Sequence, residues 1–295
     1  MPTPIWSTLE VSSHDAVPSM SHPTGAGGAA RFVPALDLPD DWSGAITVIV
    51  RDGQVIVLDE HPDDVAPGAA RHVLGTLDGA ACWAVDLDGD GVADVLVGDA
   101  VDGLVPLMGL YGRVDDVRWT LAGRAVQLVD WDHTTRFCGR CGTATEAMPS
   151  ERARRCPACG LLAFPRLAPA VITLIERGEE ALLARGRAFP VPMYSCIAGF
   201  VEPGETMEEA VHREVSEEVG VAITDVRYIA SQPWPFPHSL MIGFEATWES
   251  GDIVIDDHEI VDAQWFRADD LPMIPPGMSI ARTLIDRWLA RAGAR

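Results

Sequence analysis

The chain is 295 residues long and 47% hydrophobic, with 22 Lys and Arg against 44 Asp and Glu, a formal charge of −22. So acidic a composition argues against a general DNA- or membrane-binding surface, while leaving room for a small local basic site. No run approaches the roughly 18 apolar residues of a bilayer span, and no basic segment leads into an apolar stretch as in a signal peptide. The expectation is a cytoplasmic globular protein of two or three domains.

Residues 1–30 carry Pro, Ser, Gly and His with little periodicity and read as an irregular leader. His14 and His22 have no partner there at metal spacing. From Asp41 short β runs begin. Ala45–Val50 and Gln54–Leu58 flank Arg51-Asp52-Gly53, a hairpin signal. Cys82–Asp86 and Asp94–Val97 flank a second turn. With Asp86, Asp88, Asp90 and Gly91 this turn imitates the start of an EF-hand loop, but its twelfth position is Val97, where calcium needs a bidentate Glu. A solvated turn is expected. Thr120–Asp130 has a helical apolar face in Leu121, Ala125, Leu128 and Val129, flanked by Trp119 and Trp131. These elements suggest an α/β N-terminal domain over residues 1–135, with no legible function.

Cys138-Gly-Arg-Cys141 and Cys156-Pro-Ala-Cys159 follow, fourteen residues apart. Each Cys-x-x-Cys turns two thiolates toward one point, and four thiolates close a tetrahedral zinc site. Such a closed site is structural, which favours Zn²⁺ over two disulfides or a redox pair. The ribbon is placed at residues 136–165. Arg140, Arg152, Arg154 and Arg155 make it weakly basic; a solvated surface and a contact to substrate phosphates are both open. The remaining thiols, Cys82 and Cys196, lie in apolar surroundings and read as buried.

Residues 166–295 form a third domain. Ala170–Glu176 and Glu180–Ala184 read as a hairpin across Arg177-Gly178-Glu179. Val226–Ala230, Leu240–Trp248 and Ile260–Phe266 read as strands, and Met278–Ala292 as a closing amphipathic helix with Ile280, Leu284, Ile285, Trp288 and Leu289 inward. Within this domain, Thr206 and Glu209 form a capping box and Gly220 ends the helix it starts. Glu214, Glu217 and Glu218 then share one helical face. Like charges at that spacing repel, so hard divalent cations are the expected counter-charge. Arg213 braces one carboxylate, and Glu205 reaches the same place from the preceding loop.

Between two strands lies Ser231-Gln-Pro-Trp-Pro-Phe-Pro-His-Ser-Leu-Met241. Its prolines stiffen the backbone around Trp234 and Phe236. Rigid aromatic faces suit stacking on a nicotinamide or adenine ring; a structural corner is the equal alternative.

Gly199, Glu205, Arg213, Glu214, Val215, Glu217, Glu218, Gly220 and Val221 match the Nudix box position by position. With the Pro-aromatic stretch and the four-Cys ribbon, the chain over about Phe137–Ala292 resembles the NADH pyrophosphatases of the Nudix hydrolases. The resemblance implies an α/β/α sandwich for the last domain and an enzyme that hydrolyses NAD(H) to NMN(H) and AMP. Relatives that remove NAD caps from RNA 5′ ends extend the expected partners to NAD-capped RNA. It also implies a homodimer and catalytic Mg²⁺ or Mn²⁺ held by Glu214, Glu217, Glu218, Glu259 and the carbonyl of Ala198. Glu218 is expected as ligand and proton acceptor, two duties the sequence does not separate. Gln232, Pro233, Trp234, Pro235, Phe236, Pro237, His238 and Ser239 would line the substrate pocket. Ala281 would approach from a partner subunit or neighbouring loop. Phe164 stands where the family commonly has Tyr, which removes one hydroxyl contact. The rivals are a Nudix hydrolase for ADP-ribose or other nucleoside phosphates, and a non-catalytic nucleotide-sensing regulator.

Overall fold

The computed structural model describes residues 31–40, 42–87, 103–189 and 192–292. The leader, most of the calcium-like turn and the strand expected at Asp94–Val97 lie outside the described residues.

The first part runs β1 (Phe32–Pro34), β2 (Ala45–Arg51), β3 (Gln54–Leu58), α1 (Pro62–Val65), β4 (Ala70–Leu77), β5 (Ala80–Asp86), β6 (Val105–Pro106), α2 (Leu107–Leu110) and α3 (Asp116–Thr134). The six strands form one sheet in the order β1-β4-β5-β2-β3-β6, with β2 and β5 parallel. Asp52 and Gly53 both have positive φ, 48° and 72°, the two-residue turn that suits the twist of the β2–β3 hairpin. Helix α3 is longer than its apolar stripe implies. Asp115 caps it by accepting the Arg118 N–H at 2.9 Å. Its Leu121, Ala122, Ala125, Leu128 and Val129 pack on Val48, Val50, Leu74 and Ala84 of the sheet.

The ribbon follows as three short strands, β7 (Glu146–Ala147), β8 (Arg154–Arg155) and β9 (Leu162–Ala163). Arg154 joins it to α3: its Nη1 donates to Asp132 at 2.6 Å.

The last part holds β10 (Ala168–Arg177), β11 (Glu180–Gly186), β12 (Ile197–Phe200), α4 (Met207–Val219), β13 (Ala222–Trp234), β14 (Ser239–Ser250), β15 (Ile260–Arg267) and α5 (Ile280–Ala292). The sheet order is β13-β14-β10-β11-β15, with β12 beside β10. Both faces are covered, and this explains the near-continuous apolar run of β10. Val171 and Ile175 point toward Val211, Val215 and Val219 of α4. Ile172 and Leu174 point toward Leu284, Ile285 and Trp288 of α5. The result is the expected α/β/α sandwich within a mixed α/β chain.

Two sheets share one plan. In each, a pair of hairpins is joined through a parallel central pair: β4-β5-β2-β3 in the first and β13-β14-β10-β11 in the second. The first has no acidic helix among its described elements.

The Pro-aromatic stretch differs from the expected loop. Its first half is the end of β13, paired from Gln232 to Trp234 with β14. Only 235–238 form the turn.

Candidate active site

Helix α4 starts and stops where its sequence says. Thr206 and Glu209 make both bonds of the capping box, and Gly220 takes the left-handed conformation at φ 71°. The helix presents Ala210, Val211, Val215 and Val219 to the core, and its third and fourth turns carry Glu214 and Glu218 along the edge of that buried stripe. These two carboxylates are only 9% and 7% exposed, whereas the Glu217 side chain is 59% exposed. The three acids therefore split into an inward pair and one outward member.

Arg213 is the hub of this surface. Its Nη1 donates to Glu214 at 2.8 Å and to Glu217 at 2.9 Å. Its Nη2 reaches the Phe200 carbonyl at 2.8 Å, and Nε and Nη2 fork onto Glu205 at 2.5 and 2.9 Å. This fork holds Glu205 down at about 2 and raises Arg213 above its ordinary value, Glu205 contributing most. Glu214 is raised by burial, against the pull of Arg213. Glu218 has no such partner. Burial first, then the charges of Glu214, Glu259, Asp256 and Glu217, push it up to about 8.

Gly199 on β12 is what lets Glu214 lie there. A Cβ on Gly199 would fall 1.9 to 2.2 Å from the Glu214 carboxyl atoms, so any side chain would evict the carboxylate. Glu259, just before β15, faces the same cleft as Ala198, Glu214, Glu217 and Glu218. The loop that brings it is tied to the helix end: the Asp256 N–H donates to the Glu218 carbonyl at 3.1 Å and the Val254 N–H to that of Val219 at 2.9 Å.

The acidic cleft, about 800 Å³, adjoins a second and mostly apolar cavity of about 820 Å³. The two share Ala198, Glu218, Met241 and Glu259 as a common wall. Gln232, Trp234, Ile280 and Ala281 line the apolar one. Gln232 is fully engaged, donating to the Met278 carbonyl and accepting the Ile280 N–H, both at 2.7 Å. It thereby caps the start of α5. Ala281 is buried in the wall of its own chain's cavity.

The other members of the stretch disperse. Ser239 is buried in the acidic cleft. Pro233 is exposed, and the His238 carbonyl accepts the Ala168 N–H at 3.0 Å. Pro235, Phe236 and Pro237 face α3 instead, across a small space of about 370 Å³ beside Val126 and His133. Phe236 lies 6.4 Å from Trp119 and 5.0 Å from Trp234, ring centre to ring centre. Phe164, 55% exposed, lines neither cavity of its own chain.

Several lining residues have no counterpart in the sequence reading. Met108 of α2 lines the apolar cavity from the N-terminal part, and no local motif announces it. Phe200, 56% exposed on the wall of the acidic cleft, did have a signal: it follows the box glycine directly. Asp256, also in the cleft, lies outside the box.

The metal donors differ in readiness. The four cysteine sulfurs lie within 4.8 Å of one another, with Cys138 to Cys159 and Cys141 to Cys156 both 3.5 Å apart. Bonds of about 2.3 Å to tetrahedral zinc place sulfurs about 3.8 Å apart, so the set fits Zn²⁺. Gly142 and Gly160 follow the two knuckles at φ 74° and 73°, where a side chain would strain the turn. Contacts with the Thr143 hydroxyl and amide lower the Cys141 thiol to about 6, which favours the thiolate a metal binds. Among the described residues, only one other group brings three ligand atoms that close, Asp256, Asp257 and His258 at the cleft rim. Glu214, Glu218 and Glu259 face one another more loosely. Their mutual repulsion, which Glu218 registers, is what hard cations with oxygen ligands relieve.

The chain matches three family descriptions in succession: NADH pyrophosphatase-like rudimentary NUDIX domain over residues 37–131, NADH pyrophosphatase zinc ribbon domain over 133–164, and NUDIX domain over 165–288. It is 45% identical over 268 residues to the NAD-capped RNA hydrolase NudC of Deinococcus radiodurans, covering 88% of this chain and 93% of that protein. To the NAD-capped RNA hydrolase NudC of Stutzerimonas stutzeri it is 49% identical over 225 residues, 76% of this chain and 79% of the other. A solved NUDIX hydrolase from Nitrosomonas europaea superposes with a TM-score of 0.47 at 20% identity, over 54% of this chain and 93% of that one.

Proposed function

The chain belongs to the zinc-ribbon NADH pyrophosphatase family of the Nudix hydrolases, and from that membership we infer that it hydrolyses the pyrophosphate bond of NAD(H), giving NMN(H) and AMP, and removes NAD caps from RNA 5′ ends. The observation that carries the reading is the pair of chambers sharing one wall: an acidic cleft for a diphosphate opens beside an apolar cavity for a ring. A dinucleotide has those two parts in that order.

Glu214, Glu218 and Glu259, with Glu217 and the Ala198 carbonyl assisting, would hold Mg²⁺ or Mn²⁺. Such ions neutralise phosphate oxygens, orient a water and stabilise developing charge. Arg213 keeps Glu214 and Glu217 aimed into the cleft and Glu205 ionised. Without a cation, burial and its neighbours raise Glu218 to about 8; bound Mg²⁺ or Mn²⁺ would favour its ionised form, in which it can serve as ligand and proton acceptor. Trp234 and the walls of the apolar cavity would take the ring end and exclude water. The zinc of the ribbon is structural. Phe164, exposed and away from both of its own cavities, supports a homodimer in which it serves the partner's site by stacking alone. The enzyme is read as cytoplasmic.

The test is a side-by-side assay of NADH, NAD⁺, NAD-capped RNA, ADP-ribose and dGTP. Preference for the NAD-containing substrates is expected; preference for dGTP would reject the reading. Competition between NAD-capped RNA and NADH at matched concentration ranks the two.

A further inference from the structure

Helix α3 carries a glycine its own geometry does not require. Gly123 lies in the helix interior with no left-handed backbone, where glycine is less favourable than alanine. What it faces is buried Pro235 of the β13–β14 turn. A Cβ on Gly123 would stand 2.7 Å from Pro235 Cγ, 3.4 Å from its Cβ and 3.7 Å from its Cδ. A proline ring is fused to its backbone, so the turn itself would have to move. Phe236 is anchored beside it on Trp119 of the same helix and meets Trp234 edge to face. Trp234 and Gln232 line the apolar cavity, and Gln232 also pins the start of α5 through Met278 and Ile280.

We propose that Gly123 is a positioning residue for the dinucleotide cavity: its missing side chain is the seat for Pro235, and that seat fixes where Trp234 and Gln232 stand. This gives the N-terminal part a task in substrate recognition. It rests on the function inferred above.

The test compares wild type, Gly123→Ala and Gly123→Ala with Pro235→Ala, in the full chain. Displacing the turn by a few tenths of an ångström should raise KM for NADH about tenfold and leave kcat within about twofold, because the acidic cleft is untouched. Removing Cγ and Cδ from Pro235 should bring KM back to within about threefold of wild type. A purely structural defect would lower active enzyme without moving KM and would gain nothing from the second change. Unchanged KM in folded Gly123→Ala, or no recovery in the double variant, overturns the proposal. If Gly123→Ala does not fold, Pro235→Ala alone empties the seat without adding an atom to α3, and must also raise KM; an unchanged value is equally fatal. The Kd of NAD⁺, read by tryptophan fluorescence without divalent ions, should shift in parallel. A wild type that ignores NADH but binds NAD⁺ with this pattern would sink the functional inference and spare the seat.

Discussion

In the proposed mechanism Glu218 carries the chemistry, because it is buried, unpaired by Arg213 and surrounded by like charge. Replacing it by Gln keeps the shape and removes the acid. Turnover with saturating Mn²⁺ should fall at least about 10²-fold, in the range of lost acid–base groups; near-full activity in a steady-state assay would exclude Glu218 from the mechanism. Its raised value has a second outcome for the metal-free protein. Burial and neighbouring charge raise Glu218 from 4.5 to about 8 in the metal-free fold, so the native state should bind more protons than the unfolded chain between those values. Stability should therefore fall as pH rises through that window. Thermal melts at pH 5, 6, 7 and 8 check this. Mn²⁺ or Glu218→Gln should flatten the trend, and a metal-free midpoint that climbs over the same window would contradict the assignment.

At the scale of elements, the ribbon is the part whose fold depends on an ion. It has three strands of two residues each, too little apolar burial to stand alone. Cys156→Ser should release the zinc, seen by elemental analysis, and raise hydrogen exchange across 137–164. Loss of order should spread to the Arg154–Asp132 contact with α3, since structural zinc binding is folding free energy. Retention of a full zinc equivalent would refute this. The ribbon, the box helix and the β10–β11 hairpin were legible because each is set by a local rule: ligand spacing, a capping box with a C-terminal glycine, a short apolar run around a turn. What escaped was set by distant contacts. β4 hides its alternation behind a register shift at Gly75, whose Cβ would fall 2.1 Å from the Val33 carbonyl oxygen. β13 extends through Gln232–Trp234 because β14 pairs with it, despite Pro233. Neither the seat of Pro235 on α3 nor Met108 in the cavity wall leaves a trace in local sequence, since their partners are far along the chain.

Among the described residues, the two larger sheets are similar and their parts meet around the β13–β14 turn and the start of α5. Trp234, Phe236 and Met278 belong to the Nudix part in sequence but pack into the N-terminal core. A chain starting at residue 136 should expose that patch and elute from size exclusion as aggregate, even with the acidic helix intact. A well-behaved, fully active truncated protein would show that contact to be dispensable. The shared wall of Ala198, Glu218, Met241 and Glu259 has a consequence for what happens after bond cleavage. On the proposed placement, cleavage beside this wall would leave one product in the apolar cavity and the other in the acidic cleft. AMP and NMN should then occupy the enzyme together, and plots of combined inhibition should intersect; parallel lines would contradict that placement.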